Sequence, residues 1–245
     1  IYIESPSNPL LNIVDMKAIS DLAISNNLWT MIDNTFASPI NQNPITFGID
    51  IVIHSATKYL GGHSDISAGA VIASKDHINK IYESAKNLGG TISEFSAWLL
   101  ERSIKTLPIR VREQNKNAQE LAFFLEKHPQ VSKVYYPGLV SHKDHKIAKK
   151  QMNGFGGMLS IEISSNIDPD LFLKSLKIIK PVMSLAGVES TANYPKLTSH
   201  FSLTQEERDD QGISDQLIRL SAGIESIEDL KNDIRNAFKL SFNEN

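Results

Sequence analysis

The sequence predicts an α/β fold built on a mostly parallel sheet and followed by a smaller α+β region. From Ile1 to about Ile104, short apolar runs alternate with amphipathic helical segments, which is the pattern of βαβ units. After the segment "KHPQ" the pattern changes, and several strand-like runs follow one another. We therefore place a domain boundary near His128 to Gln130, with residues 1–128 in the first domain and residues 129–245 in the second.

The first domain is predicted to alternate strands and helices from its first residue. The expected strands are "IYIE", "LWTMID", "DIVIHS" and "AGAVIAS", each an apolar run bounded by turn-forming residues. Asp15 is placed to cap a helix over "MKAISDLAISNN", in which Met16, Ile19 and Ala23 share one face. A second helix is expected from about Asp76 to Leu88.

A long helical segment is predicted to link the two domains. It runs from Ser93 to Lys127, and Pro108 is expected to break or kink it. The strands expected in the second domain are "VSKVYYPG", "GGMLSIEI", "IIKPVMSLAG" and "DQLIRLSAG". The last helix is predicted to begin with a capping box at Ser226–Asp229 and to bury one face, formed by Leu230, Ile234 and Phe238.

Composition and charge exclude several classes of protein. The chain has 245 residues, of which 41% are hydrophobic and 22% are charged, as in an ordinary globular protein. A net charge of -3 gives no basic surface for nucleic acid, and no apolar run is long enough to predict a membrane span. The lack of cysteine excludes disulfides, thiolate metal sites and a cysteine nucleophile, and it fits a cytoplasmic protein.

Polar clusters follow three of the predicted strands, namely "SPSN", "DNTF" and "HSATK". In open α/β sheets ligands bind at the carboxyl ends of the strands, so a site is expected there. The lysine of the third cluster, Lys58, does not belong to a P-loop, because Gly61 and Gly62 follow it instead of preceding it. His142 and His145 in "SHKDHK" are expected to lie on a solvated face, and no metal site is predicted.

Lys58 is suitably placed to carry pyridoxal phosphate as a Schiff base. Such a lysine needs an acid facing the pyridine nitrogen and hydroxyl or amide groups that hold the phosphate. Asp33 closes the "LWTMID" strand and can supply the acid, and Ser55 and Thr57 can supply hydroxyls on one side of the strand end. From these residues alone two simpler interpretations stay open, with Asp33 as a turn or capping residue and Lys58 as a surface residue.

Longer motifs favour the pyridoxal-phosphate interpretation of Lys58 and Asp33 over the two simpler ones. The segments "DNTFASP" and "DIVIHSATKYLGGHSD" resemble the signature of the Cys/Met-metabolism family of pyridoxal-phosphate enzymes, which includes cystathionine γ-synthase, the cystathionine γ- and β-lyases and methionine γ-lyase. "ESPSNPLL", "WLLERSIKTLPIRV", "VYYPGLVSH" and "LIRLSAGIESIEDL" match further motifs in the family's order. The resemblance spans almost the whole chain. It implies a fold type I PLP-transferase, with the C-terminal part of the PLP-binding domain in residues 1–128 and an α+β C-terminal domain in residues 129–245.

The resemblance also implies roles for individual residues. Lys58 would carry the cofactor and shuttle protons, Asp33 would pair with the pyridine nitrogen, and Ser55 and Thr57 would bind the phosphate. Asn8 would lie by the phenolic oxygen of the cofactor and the substrate carboxylate. The remaining implied contacts are to the substrate, from Arg219 to its α-carboxylate and from Ser184 and Ser199 on the substrate side of the pocket. His54 and His63 are expected to pack or to form hydrogen bonds, not to catalyse.

The function that this resemblance implies is β- or γ-elimination or γ-replacement on a sulfur amino acid such as cystathionine, methionine or an O-acylhomoserine. Cystathionine γ-synthases and γ-lyases often have a glutamate where this chain has Met183. A methionine can pack against a thioether, which leaves methionine γ-lyase or a β-lyase open. The family motifs "SLGGVESL" and "MTH" are "SLAGVEST" and "TSH" here. A homotetramer, arranged as a dimer of dimers in the cytoplasm, is implied as well.

One departure from the family leaves a second class of function open. Members use an N-terminal block for a glycine-containing phosphate loop, an aromatic residue that stacks on the cofactor and an arm that reaches a neighbouring subunit. These residues have no counterpart in the sequence, so we expect an N-terminally incomplete chain. The alternative to an enzyme is therefore a non-catalytic fragment that depends on a partner. The presence of Lys58, Asp33 and Arg219 together favours the enzyme.

Overall fold

The computed structural model of the protein describes residues 1–198 and 201–242. The strands are Tyr2–Glu4 (β1), Met31–Asp33 (β2), Ile51–Ser55 (β3), Gly69–Ala73 (β4), Val131–Tyr135 (β5), Met158–Ile163 (β6), Lys180–Pro181 (β7), Thr191–Asn193 (β8) and Leu217–Ser221 (β9). The α-helices are Met16–Ser25 (α1), Ser38–Asn41 (α2), Lys75–Leu88 (α3), Glu94–Ile104 (α4), Leu107–Glu126 (α5), His145–Gln151 (α6), Pro169–Ser175 (α7), Gln205–Asp210 (α8) and Ile227–Leu240 (α9).

The first sheet has the strand order β1-β2-β3-β4. Its first three strands are parallel, as the alternation of strands and helices predicts, whereas β4 is antiparallel to β3. The reason is that no helix separates β3 from β4, so the chain returns beside the strand that it has just left. Glu4 pairs with Asp33, and Asp33 with Ile53, so β1 and β2 end level with each other and β3 continues beyond them to Ser55.

The helices of this half begin and end close to the predicted positions. Asp15 caps α1, and its side chain accepts a hydrogen bond from the amide of Ala18, as predicted. The long helical segment is interrupted between α4 and α5, and Pro108 lies in the first turn of α5, where its missing amide hydrogen costs no helical hydrogen bond. The break near Pro108 is therefore confirmed.

The second sheet has the order β5-β6-β9-β8-β7. Its strand β8 was not predicted, because the residues "TAN" show no apolar alternation. The capping box predicted at Ser226 is wrong, since that side chain makes no capping hydrogen bond. The capping box that the structure does contain joins Thr204 and Glu207 at the start of α8. The buried face predicted for α9, formed by Leu230, Ile234 and Phe238, is confirmed.

Two apolar clusters hold the halves of the chain together. The larger one packs the second sheet against α5, α7 and α9, with Leu121, Leu159 and Ile234 among its fully buried members. A smaller cluster joins residues that follow β3 to β6 and α5. Within it, the hydroxyl of the fully buried Tyr59 accepts a hydrogen bond of 3.0 Å from the amide of Gly157. The residue after Lys58 is thus anchored to the second sheet.

The predicted domain boundary near His128 falls between α5 and β5, and the division into two domains stays a prediction. Over the part of the chain that the structure describes, none of the helices combines the length and apolar character needed to cross a membrane.

Candidate functional site

A cavity of about 300 Å³ opens where the carboxyl ends of β1, β2 and β3 face the second sheet. This is the edge at which an open α/β sheet binds ligands. Its wall contains five of the residues that the sequence singles out, Asn8, Asp33, Ser55, Lys58 and Arg219, together with Met183. The other lining residues are Glu4, Thr35, Phe36, Leu185 and Asn193.

Lys58 lies in the tight turn that follows β3. Its amide donates to the carbonyl of Ser55 (3.0 Å), and its own carbonyl accepts from the amide of Gly62 (2.7 Å). The side chain is half-buried, and burial lowers the pKa of its amine, with a further decrease from the positive charge of Arg219. The neutral amine, which is the form that acts as a nucleophile or base, is therefore more accessible than in a solvated lysine.

The two glycines after Lys58 have a structural role. Gly62 has φ +69°, and a β-carbon there would collide with the guanidinium of Arg110. Arg110 is buried and donates to the carbonyls of Tyr59 (2.9 Å) and Ser103 (3.0 Å). Gly62 thus leaves room for Arg110 of α5 to hold the turn that carries Lys58, which explains the position of this glycine after the lysine.

Asp33 ends β2 beside a second carboxylate. Its Oδ1 accepts from the amide of Thr35 (2.9 Å), which orients the carboxylate at the strand end. Glu4 is its register partner on β1, and burial raises the pKa of Glu4, with a further increase from the charge of Asp33. Glu4 also accepts a hydrogen bond from the amide of Asn8 (3.2 Å). Sequence reasoning missed Glu4, although it immediately precedes the "SPSN" cluster.

The two predicted hydroxyls do not share one environment. Ser55, the last residue of β3, lines the cavity. The Thr57 hydroxyl instead accepts from the amide of Ala68 (3.0 Å) and approaches the Ala68 carbonyl (3.3 Å). The alternation of a strand does not extend to Thr57, because the chain already turns after Ser55. Thr57 therefore lies beside the cavity wall and not in it.

Arg219 is a buried cation, only 4% exposed, on the central strand β9. It donates from Nη1 to Oδ1 of Asn8 (2.9 Å) and from Nη2 to the carbonyl of Met183 (3.2 Å). Neither partner carries a charge, and burial lowers the pKa of the guanidinium to about 10. A buried charge requires compensation, so an anionic ligand in this cavity would be favoured.

Of the two predicted serines, Ser184 is not among the residues that line this cavity. The Ser184 hydroxyl lies 3.3 Å from the Ser64 hydroxyl, and its carbonyl accepts from Thr191 (2.8 Å). Ser199 lies outside the described residues.

The two histidines near Lys58 have different environments. His54 is buried, and burial lowers its pKa to about 4, whereas Nδ1 of His63 contacts the Gly61 carbonyl (2.7 Å).

A larger cavity, of about 640 Å³, lies beside β5 and contains none of the predicted cofactor or substrate residues. His142 lines it and is only 7% exposed, so the expected solvated face is wrong for this residue. Its Nδ1 accepts from the amide of Asp144 (3.2 Å). The chemistry of an amine, a carboxylate and a buried guanidinium is found in the smaller cavity, which we take as the candidate active site.

The residues of this cavity fit pyridoxal phosphate. An amine with a lowered pKa and a carboxylate on the adjacent strand are the two groups that the cofactor requires at its aldehyde carbon and its ring nitrogen. Ser55 adds a hydroxyl for the phosphate, and Arg219 adds a cation for a substrate carboxylate.

Comparisons with known proteins agree with this chemistry. The family model described as Cys/Met metabolism PLP-dependent enzyme matches residues 1–239. Cystathionine beta-lyase of Lactococcus lactis subsp. cremoris is 48% identical over 240 residues, covering 98% of this chain and 63% of the relative. The solved structure of cystathionine gamma-lyase from Lactobacillus plantarum, complexed with L-serine, is 42% identical with a TM-score of 0.96, covering 98% of this chain and 64% of that one.

A third similar protein catalyses a different reaction. The structure of cystathionine gamma synthase from Xanthomonas oryzae pv. oryzae in complex with cystathionine is 42% identical with a TM-score of 0.95, over 98% of this chain and 62% of that one. The chain thus spans just under two thirds of the length of these proteins. A β-lyase, a γ-lyase and a γ-synthase are similar to it to a comparable degree.

Proposed function

Because the chain belongs to the Cys/Met-metabolism family of PLP-dependent enzymes, we propose that it contributes the catalytic centre of an enzyme that acts on sulfur amino acids. The reaction is β- or γ-elimination, or γ-replacement, at a carbon–sulfur or carbon–oxygen bond of the substrate side chain. One observation carries the proposal: Lys58, Asp33 and Arg219, which are far apart in the sequence, line the same cavity.

The chain offers a group for each part of the cofactor. When bound, pyridoxal phosphate supplies an electron sink that stabilises negative charge on the substrate carbon next to the amine. Asp33 would face the pyridine nitrogen and keep it protonated. Ser55 would hold the phosphate from the cavity wall, and Thr57 would join it once its hydroxyl turns away from the Ala68 backbone. Asn8 would lie by the phenolic oxygen.

Lys58 would carry the cofactor and then move protons between adjacent carbons of the substrate. Its lowered pKa supports this role, because an amine must lose its proton before it can accept another. Desolvation is the main cause of the lower pKa, and the positive charge of Arg219 adds to it. Arg219 would therefore have two effects: its charge would bind the substrate, and the same charge favours the neutral form of the Lys58 amine.

Arg219 and Asn8 would bind the α-carboxylate of the substrate. The guanidinium is already held by Asn8 and by the Met183 carbonyl, so binding requires little reordering of the arginine. Its planar array of donors suits a carboxylate. A carboxylate would also supply the negative charge that Arg219 lacks among its present hydrogen-bond partners.

The substrate side of the cavity favours a thioether. Met183 lines the cavity and is 62% exposed, and its flexible apolar side chain suits a sulfur-containing alkyl chain. Cystathionine, methionine and O-acylhomoserine are the substrates to compare. Methionine γ-lyase activity is the second candidate, because Met183 offers no charge to the distal ammonium group of cystathionine.

We further propose, on the basis of the family resemblance, that the protein forms a homotetramer, a dimer of dimers, in the cytoplasm.

Cofactor attachment is the decisive experiment. We expect the purified protein to gain a visible absorbance band with pyridoxal phosphate, and borohydride to fix the cofactor covalently on the peptide that contains Lys58. The Lys58→Ala variant should lose this attachment, whereas Lys105→Ala, at an exposed lysine, should keep it. Attached cofactor followed by release of keto acid and ammonia, or by thiol replacement, from one of the three substrates would support the enzyme.

The same experiment tests the alternative of a partner-dependent fragment. Labelling spread over several lysines, or a folded protein without labelling at Lys58, would contradict the proposed function. In that case we would expect Lys58 labelling only after addition of a protein that supplies the rest of the site.

A further inference from the structure

Asn193 is a buried amide in the wall of the candidate active site. It ends β8, is 4% exposed and lines the same cavity as Lys58 and Arg219. Neither its Oδ1 nor its Nδ2 has a hydrogen-bond partner among the described residues. Buried polar atoms in folded proteins are nearly always paired, so an amide with both ends unpaired calls for an explanation.

The position of Asn193 supplies that explanation. Its register partner on the antiparallel neighbour β9 is Arg219, so the two side chains stand next to each other on one face of the sheet. Arg219 is hydrogen-bonded to Asn8 and to the Met183 carbonyl. An unpaired amide and a cation without a negative partner therefore lie side by side at one cavity.

We propose that Asn193 is a substrate-binding residue that forms hydrogen bonds with the substrate carboxylate and with a group on the adjacent carbon. Its Nδ2 donates to the carboxylate that Arg219 binds, and its Oδ1 accepts from an N–H or O–H on the adjacent carbon. The inference rests on the proposed function for the identity of the ligand as an amino acid. It adds a second contact, which separates α-amino and α-hydroxy acids from unsubstituted carboxylic acids.

The preference follows from the two ends of the amide. An unsubstituted carboxylate pairs with Nδ2 and leaves Oδ1 buried without a donor. An α-amino acid satisfies both ends. Sites built around buried hydrogen-bonding groups reject analogues that leave such a group unpaired, and they do so more strongly than apolar pockets reject a missing methylene.

Calorimetric binding to the cofactor-free protein tests the inference, with L-norleucine and hexanoate as probes that differ only in the amino group. We expect norleucine to bind more tightly, and Asn193→Leu to weaken norleucine about tenfold to a hundredfold while changing hexanoate less than about threefold. Arg219→Lys should weaken both probes. The matched control is Asn232→Leu, at an exposed asparagine of α9, which should change neither.

Thermal unfolding of the same variants separates a binding role from a structural one. If the amide is unpaired in the free protein, replacing Asn193 with leucine removes a buried polar group that lacks hydrogen bonds. The midpoint of thermal unfolding should then stay the same or rise. A lower midpoint for Asn193→Leu, or equal weakening of both probes, would overturn the inference. Asn193→Ala gives the same comparison where leucine does not fit.

The outcome is independent of cofactor attachment. Lys58 labelling without any preference between norleucine and hexanoate would overturn the role of Asn193 and leave the proposed function standing. A clear preference without labelling at Lys58 would support Asn193 as an amino-acid contact and contradict the proposed function.

Discussion

The guanidinium of Arg219 donates a hydrogen bond of 2.9 Å to the side-chain carbonyl of Asn8, which lies 211 positions earlier in the chain. This contact joins the loop after the first strand to the central strand of the second sheet. Arg219 itself is buried without a negatively charged hydrogen-bond partner. The proposed carboxylate site is therefore formed by tertiary structure, and both halves of the chain are needed for it.

The first prediction concerns Arg219→Lys. Lysine keeps the charge but loses the fork of donors that reaches Asn8 and the Met183 carbonyl together. We expect the dissociation constant for an amino-acid ligand, measured by calorimetry, to rise about thirtyfold or more, which corresponds to about 2 kcal/mol. Arg112→Lys is the matched control, because Arg112 is exposed on α5. Unchanged affinity in Arg219→Lys would remove Arg219 from the substrate site.

The second prediction concerns the choice of substrate. In Met183→Glu, a carboxylate would replace an exposed apolar side chain at the cavity and could pair with a distal ammonium group. Exposed ion pairs contribute up to about 1 kcal/mol, so we expect the ratio of kcat/KM for cystathionine over methionine to rise by up to about fivefold. Met183→Leu keeps an apolar surface and should leave that ratio within twofold. A fall in the ratio with glutamate would show that Met183 does not face the distal group.

Much of the first half of the fold follows from local sequence. Parallel strands are indicated by apolar runs that alternate with amphipathic segments, and Asp15 and Pro108 mark helix boundaries by their own chemistry. The wrong capping box has a physical reason. Asp229 is one methylene shorter than the Glu207 that closes the box at Thr204, so it is poorly suited to return the second hydrogen bond, and the Ser226 side chain does not make the first one.

The site is only partly encoded in local patterns. Lys58 and Asp33 could be predicted to meet because both follow parallel strands of one sheet. Asn193 could not, because its strand has three residues and no apolar alternation, and its importance depends on Arg219 across the sheet. The hydrogen bond between the Thr57 hydroxyl and the Ala68 amide could not be predicted either, because it forms only once β4 has returned beside β3.

The third prediction concerns the pH dependence of stability. Burial lowers the pKa of His54 from its ordinary value of 6.5 to about 4, against the opposing effect of Asp33. The folded state therefore disfavours protonation, while the unfolded state takes up a proton as the pH falls below about 6.5. Above pH 6.5, His54 should not lower the free energy of unfolding. As the pH falls from 6.5 to about 4, His54 should lower that free energy progressively, by up to about 3 kcal/mol.

Urea unfolding between pH 7.5 and pH 4.5 measures this effect. His54→Gln cannot titrate, so its free energy of unfolding should fall less steeply with decreasing pH than that of the unmodified chain. His77→Gln, at a partly exposed histidine of α3, serves as the control and should follow the unmodified chain. Parallel curves for the unmodified chain and His54→Gln would show that the buried imidazole does not govern acid sensitivity.

The fourth prediction concerns Asp233, a buried carboxylate on α9. It accepts three backbone hydrogen bonds, from the amides of Lys177 (2.8 Å), Ile178 (2.9 Å) and Ile179 (2.9 Å). These amides belong to the segment that leads into β7 and on to Met183 at the cavity. In Asp233→Asn one acceptor oxygen becomes an amide group, which opposes the backbone donors instead of accepting from them.

We expect Asp233→Asn to lower the free energy of unfolding by about 2–4 kcal/mol, because hydrogen bonds to a charged acceptor are lost and backbone amides stay buried. Asp229→Asn, at an exposed position of the same helix, should change it by less than about 0.5 kcal/mol. The segment before Met183 should also lose protection in amide hydrogen exchange, since its anchor is removed. Equal stability of the two variants would mean that the segment is held by its apolar contacts and not by Asp233.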